Sequence, residues 1–284
     1  MNAAATAERA VVFGDRDARC VGVVTPGARP DPGVVLLNAG LLHHVGPQRM
    51  NVEIARRLSA RHGASSLRFD VTGVGDSPAR ADGLPFRESS IVETRQAMDT
   101  LTRETGASGF VLVGLCSGAD QAFQVALADE RVVGCVLIDP YPYETPRFRR
   151  ERWLRPARQR RTWVRVVRGE YKIGLRVLRV LAGEVEERVD PGLAVRDVPP
   201  RDVAETGFRT LLERGVAVHV VFTAGQLGTY NHAAQFWDMY PSLREGGGLS
   251  YRYFAPADHT LSVRAVRELL LADVASWYGS AFRG

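Results

Sequence analysis

The stretch Phe110-Val111-Leu112-Val113-Gly114-Leu115-Cys116-Ser117-Gly118 joins an apolar run to a cysteine held between two glycines, and an amphipathic segment continues from it to Ala128. The run reads as a buried strand over Phe110–Leu115, and the apolar spacing of Gly118–Ala128 reads as a helix. Between them, Gly114 and Gly118 let the chain turn sharply enough to hold Cys116 exposed in strained backbone, the Gly-x-nucleophile-x-Gly elbow with Cys in place of the usual Ser. In a chain with 28 Gly and three Cys, this pattern arises by chance roughly 0.03 times. The competing reading is a buried structural Cys beside a tight turn.

Working outward, apolar runs bounded by Gly, Pro and Asp alternate with amphipathic segments, which predicts βαβ units and a mostly parallel sheet. Arg9–Phe13 and Cys20–Val24 read as a hairpin, Val34–Asn38 and Ser66–Phe69 as strands, and Arg49–His62 and Ser89–Glu104 as helices. Val132–Ile138, apolar at every position, reads as a central strand. The alternation stops at Pro140. From Tyr141 to Pro200 the chain is rich in Arg and aromatic residues, including Trp153 and Trp163. The pattern then resumes with a strand over Val216–Thr223, a helix near Ala233–Tyr240, a strand over Leu249–Phe254 and a helix over Val263–Tyr278. An insertion between two strands of one sheet is a cap, so residues 1–140 and 201–284 form one α/β core and residues 141–200 a lid. A single large domain accommodates all 284 residues.

Composition excludes several classes. With 45% hydrophobic and 24% charged residues the chain buries a core and is neither disordered nor fibrous. The net charge of +5 is uneven. Residues 147–179 carry twelve Arg and Lys172 against Glu151 and Glu170, a local +11, which leaves −6 for everything else. That segment reads as a solvated cap face or as a cationic mouth for the phosphate of a phosphopantetheine arm or an acidic carrier protein; without a binding module it argues against nucleic acid. Cys20, Cys116 and Cys135 are too few for a disulfide framework, and Met1–Ala10 lacks an apolar signal core. The expectation is a cytoplasmic protein with no membrane span.

Cys116 needs a base. Of six His residues, His259 stands in Ala257-Asp258-His259-Thr260, just after the last strand and before the last helix; His219 alternates within an apolar strand, His62 ends a helix and His232 lies in a loop. Strand, elbow, late cap and late His together resemble an α/β-hydrolase over roughly the whole chain. More narrowly, Asn38-Ala39-Gly40, Gly46-Pro47-Gln48-Arg49, Leu67-Arg68-Phe69-Asp70, Gly73-Val74-Gly75-Asp76-Ser77 and Gly114-Leu115-Cys116 are similar to the exosortase-associated hydrolase-like branch. Arg68–Ser77 reads as a structural turn.

The resemblance implies an acid after Val216–Thr223, but no Asp or Glu occurs between Glu213 and Asp238. Asp139, after the strand that follows the elbow helix, is one replacement; Asn231 or Gln226 is another, since Cys-His pairs can use an amide; a plain Cys-His dyad is the third. The resemblance further implies an oxyanion hole from the backbone N–H of Ser117 and of Leu41 or Gly40, with His43, His44 and Gln48 facing the site and Asn231 a further substrate contact. It calls for no cofactor and no metal.

These parts suit acyl chemistry on an ester or thioester, by hydrolysis or transfer, on a small acyl substrate free or carried by CoA or an acyl carrier protein. Two alternatives stand beside it: a lyase of this fold that eliminates acetate or another carboxylate from a polyketide intermediate such as a tetronate, and a catalytically silent scaffold, which the empty acid slot motivates.

Overall fold

The computed structural model describes residues 7–158, 164, 168, 196–224, 229–244 and 247–282. An N-terminal hairpin, β1 (Arg9–Asp15) and β2 (Ala18–Thr25), leads into β3 (Arg29–Leu36), α1 (Met50–His62), β4 (Ala64–Asp70) and α2 (Phe86–Thr105). The elbow region follows as β5 (Phe110–Leu115), α3 (Ser117–Ala128) and β6 (Val132–Ile138), then α4 (Pro146–Arg158), α5 (Arg201–Glu213), β7 (Ala217–Thr223), α6 (Gln235–Met239), β8 (Leu249–Phe254) and α7 (Arg264–Ala281). The strands form one sheet in the order β1-β2-β4-β3-β5-β6-β7-β8. Only the β1–β2 and β2–β4 pairings are antiparallel; from β4 to β8 all are parallel.

Parallel strands are covered on both faces, and their residues divide accordingly. On β3, Val35 joins Phe110, Leu112 and the helices α2, α3 and α5 in one core, while Val34 and Leu36 join Val111, Val113 and the helices α1 and α7 in the other. The period-two alternation of side chains puts both sets under cover. Every βα turn from β5 to β8 therefore opens at the same edge of the sheet, where the candidate residues Cys116, Asp139 and His259 fall.

The sheet and its flanking helices agree with the sequence reading; the ends of elements move by a few residues. Two helices were not anticipated, α4 at the start of the expected cap and α5 after the Pro pair. The chain after Pro199-Pro200 forms α5, whose buried residues Ala204, Gly207, Phe208 and Leu211 repeat at helical spacing. Phe208 packs against Phe123, Phe236 and Tyr240 at centroid distances of 4.6, 5.7 and 5.2 Å. The periodicity was present in the sequence, in residues between the Pro pair and the strand at Val216–Thr223 that had been assigned to no element.

The first residues of the expected cap, Tyr141 and Phe148, are buried, Tyr141 edge-on to Phe123 at 5.9 Å. The remainder of it, residues 159–163, 165–167 and 169–195, with Trp163 and most of the Arg-rich stretch, lies outside the described residues. Among the described residues no helix is long and apolar enough to cross a membrane.

Candidate active site

Cys116 follows β5 with φ 58° and ψ −122° and is the N-cap of α3. Its backbone is tied on both sides: the amide donates to Ile138 O at 2.8 Å, and the carbonyl accepts from Ala119 and Asp120 amides at 2.9 and 3.1 Å. Both glycines are sterically required. A Cβ on Gly114 would stand 2.1 Å from Gly118 O, and one on Gly118 would stand 2.4 Å from Asn38 O. A non-glycine residue at positive φ costs about 1–3 kcal/mol, so the surrounding packing holds this turn in place. Cys116 is half-buried, whereas Cys20 and Cys135 are wholly buried. Burial pushes both thiols up, Cys135 to about 12. Neither is a thiolate source near neutral pH, which leaves Cys116 as the candidate nucleophile.

His259 and Asp139 meet across 120 residues of sequence. His259 Nδ1 lies 2.7 Å from Asp139 Oδ2. That bond leaves Nε2 for Cys116, whose side chain acts together with Asp139 to raise the pKa of the ring. Asp139 is fully buried, has φ 50°, and accepts from the Thr223 amide at 2.7 Å and the Thr223 hydroxyl at 2.6 Å. Thr223 ends β7, the position at which the acid was missing. The slot therefore holds two donors that aim a carboxylate arriving from the neighbouring strand. Burial opposes the imidazolium, but hydrogen bonds to Asp139 and Cys116 and the charges of both outweigh it and raise the His259 pKa to about 9. With the ordinary value at about 6.5, the cation's contribution to stability is complete below that pH and is lost as pH rises through about 9.

Arg196 lies beneath the elbow and had no signal in the sequence. Its buried guanidinium forms a bidentate pair with Asp120 on the first turn of α3, with both contacts at 2.6 Å. Nη2 also approaches the carbonyls of Cys116 and Asp139 at 3.5 and 3.4 Å. One side chain thus holds the two positive-φ residues of the site together and anchors the last residues of the expected cap.

The remaining candidates are placed as follows. Gly40 N donates to Ser117 Oγ at 2.8 Å, so the early loop touches the start of α3 where the oxyanion hole was expected; Leu41 is exposed. As a first-turn residue, Ser117 has no carbonyl one turn back to receive its amide. The rings of His43 and His44 are engaged by carboxylates of the turn after β4. His44 Nδ1 is 2.8 Å from Asp70 Oδ2, and His43 Nε2 is 3.0 Å from Asp76 Oδ2. The turn Arg68–Ser77 draws both rings to itself, because the buried carboxylate of Asp70 needs donors. Gln48 is exposed at φ 51°. Asn231 is also turned away from His259: its Nδ2 donates to Phe148 O at 2.9 Å and its Oδ1 lies 2.8 Å from His232. Gln226 lies outside the described residues. His219 is buried between Ser250 and Asp273, at 2.6 and 2.8 Å.

A sequence profile of the alpha/beta hydrolase fold matches residues 33–168, a span that includes the elbow and Asp139. The chain is similar to an esterase from Pyrococcus furiosus, with a TM-score of 0.62 and 11% identity over 97% of this chain and 90% of that one. It also resembles a serine hydrolase homologue from Coxiella burnetii, with a TM-score of 0.55 and 13% identity over 94% and 97% of the two chains. Against alpha/beta hydrolase domain-containing protein 10 from mouse, the TM-score is 0.56 and the identity 13%, over 96% and 100%. No curated protein matches the sequence significantly. At these identities the likeness is one of fold, and the chain has the α/β-hydrolase fold.

Two outcomes follow from the geometry. Asp139→Asn removes the main support of the imidazolium, so the His259 titration midpoint, followed by NMR, falls from about 9 toward the ordinary value of about 6.5. Arg196→Met strands Asp120 in the interior and lowers unfolding free energy by about 3–5 kcal/mol in urea titrations, while Arg196→Met combined with Asp120→Leu recovers most of that loss.

Proposed function

We propose that this protein is an acyl-handling enzyme in which Cys116 is the nucleophile, His259 the general base and acid, and Asp139 the group that orients His259. The observation that carries this reading is the imidazole held between the Asp139 carboxylate and the Cys116 thiol. His259 accepts the proton of the Cys116 thiol as the sulfur becomes the nucleophile. The thiolate attacks the carbonyl of an ester or thioester; as the tetrahedral intermediate collapses, the leaving group takes the proton from His259, and the acyl group remains on sulfur. His259 then removes a proton from water or from an acceptor hydroxyl, amine or thiol, whose attack releases the acid or the transferred product and restores Cys116.

The oxyanion that forms is met by the Ser117 amide and by the loop amides at Gly40 and Leu41. In the ground state the Ser117 hydroxyl occupies the Gly40 amide. A carbonyl oxygen entering the hole takes that donor over, and the hydroxyl rotates away. Hydrolysis is in keeping with the esterase and the serine hydrolase homologue among the similar structures. The local +11 of residues 147–179 suits a CoA or carrier-protein phosphate at the mouth of the site. The likeness of the Asn38–Arg49 and Leu67–Ser77 segments to the exosortase-associated branch is compatible with such a role. A nucleophilic thiol that must stay reduced fits a cytoplasmic enzyme.

The empty slot after β7 motivated a silent scaffold; the hydrogen bonds from Thr223 to Asp139 weaken that motive. The decisive test is covalent labelling by an activated thioester, read by intact-protein mass spectrometry. Wild-type protein gains one acyl group, Cys116→Ala gains none, and His259→Ala acylates about 100-fold or more slowly. Labelling retained in Cys116→Ala overturns the assignment. Turnover of acylated substrate in ¹⁸O water puts label into the released acid if the enzyme is a hydrolase; unlabelled acid with an alkene product identifies the lyase instead.

A further inference from the structure

We propose that His43, His44, Asp70 and Asp76 form a binding site for one divalent transition-metal ion of the zinc class, separate from the Cys116 centre and independent of the acyl chemistry above. Each residue offers one ligand atom, and the four atoms lie within 4.8 Å of one another. Three of the separations are 2.8 Å for His44 Nδ1 to Asp70 Oδ2, 3.0 Å for His43 Nε2 to Asp76 Oδ2 and 3.5 Å for His43 Nε2 to Asp70 Oδ2. Ligands bound at about 2.0–2.2 Å around a tetrahedral ion stand about 3.3–3.6 Å apart, so the two shortest of these separations open slightly and the third already fits. Two imidazole nitrogens and two carboxylate oxygens form the mixed set that selects zinc-like ions over magnesium or calcium.

Charge and framework favour an ion here. Two carboxylate oxygens share this small volume, and one of them, on Asp70, has a side chain with no solvent exposure. A divalent cation balances both carboxylate charges. The inner half is rigid. Asp70 Oδ1 accepts from Asn38 Nδ2 and the His44 amide, and a Cβ on Gly75, which has φ +54°, would stand 2.3 Å from Asp70 Oδ2. The Asn38 contact supplies the outer-shell support that metal-binding carboxylates use. The outer half is open, with the His43 and Asp76 side chains 39% and 61% exposed, which gives the ion a path in. On binding, each ring offers an unprotonated nitrogen and carries its proton on the other one. For His43 this replaces the 3.3 Å contact from the Val45 amide to Nδ1. The ion would staple the loop after β3 to the turn after β4. Asn38 links the two, since its Nδ2 also donates to Leu42 O.

The test is titration of Zn²⁺, with Co²⁺ as a spectroscopic probe, into the Cys116→Ala protein, so that the thiol beside His259 is unavailable as a ligand. The expected result is one equivalent of zinc by calorimetry and by metal analysis after gel filtration, the visible absorption of four-coordinate cobalt, and a zinc-dependent rise in Tm. In the same background His43→Ala and Asp76→Asn, both at the exposed side of the cluster, each weaken zinc binding at least about 10-fold, and the double variant shows no Tm response. Absence of stoichiometric zinc, or zinc bound equally well by a folded double variant, overturns the proposal.

Discussion

The carboxylate of Asp139 is the point on which the candidate site turns. It is fully buried at the C-terminal edge of the sheet, where an unpaired charge would cost several kcal/mol. Its oxygens are taken up by the Thr223 amide, the Thr223 hydroxyl and the His259 ring. Those bonds link the ends of β6, β7 and the loop after β8. Each partner is held because the carboxylate needs it, and the carboxylate is tolerated because all of them are present. The same arrangement fixes which nitrogen of His259 is left for Cys116 and raises the imidazole pKa to about 9.

Around that carboxylate, strained backbone is held by sterics and by one buried cation. Cys116 and Asp139 both adopt positive φ, and the turn after β5 closes only because Gly114 and Gly118 lack side chains. Arg196 reaches the carbonyls of both residues while its charge is balanced by Asp120 on α3. The guanidinium comes from the last residues of the expected cap, so the elbow and the acid turn share an anchor with the end of that stretch. A buried bidentate pair of this kind is poor evidence of stability in itself, but breaking it leaves a charge unpaired, and that penalty enforces the arrangement. The loop after β3 is organised in a parallel way by Asp70, which draws in Asn38, His43 and His44.

Much of this was legible in the residues. Glycine spacing around Cys116 announces a tight strand-to-helix turn because only glycine fits there, and unbroken apolar runs announce strands covered on both faces. What could not be read were contacts between segments far apart in the chain. Arg196 has no local signature, being one of 36 arginines. Thr223 looks like any strand-ending residue until Asp139 is seen beside it. His43 and His44 followed the resemblance toward Cys116, but the desolvated carboxylate of Asp70 competes for their ring nitrogens and wins. Asn231 had suitable chemistry, yet it is spent on Phe148 and His232.

By itself the sequence determined the α/β architecture and the tight strand-to-helix turn at Cys116, and it put forward a late His as the partner of that Cys, because these depend on periodicity, on glycine sterics and on the order of residues along the chain. Only the tertiary structure places a carboxylate, that of Asp139, against His259 Nδ1, where the sequence left Asp139, an amide or a bare dyad open. The reason is that strand order in the sheet sets β6 beside β7 and brings residues 120 positions apart within hydrogen-bonding distance. The same holds for the cluster of His43, His44, Asp70 and Asp76: four ordinary residues, on the loop after β3, at the end of β4 and on the turn after it, come together only when β3 and β4 lie side by side.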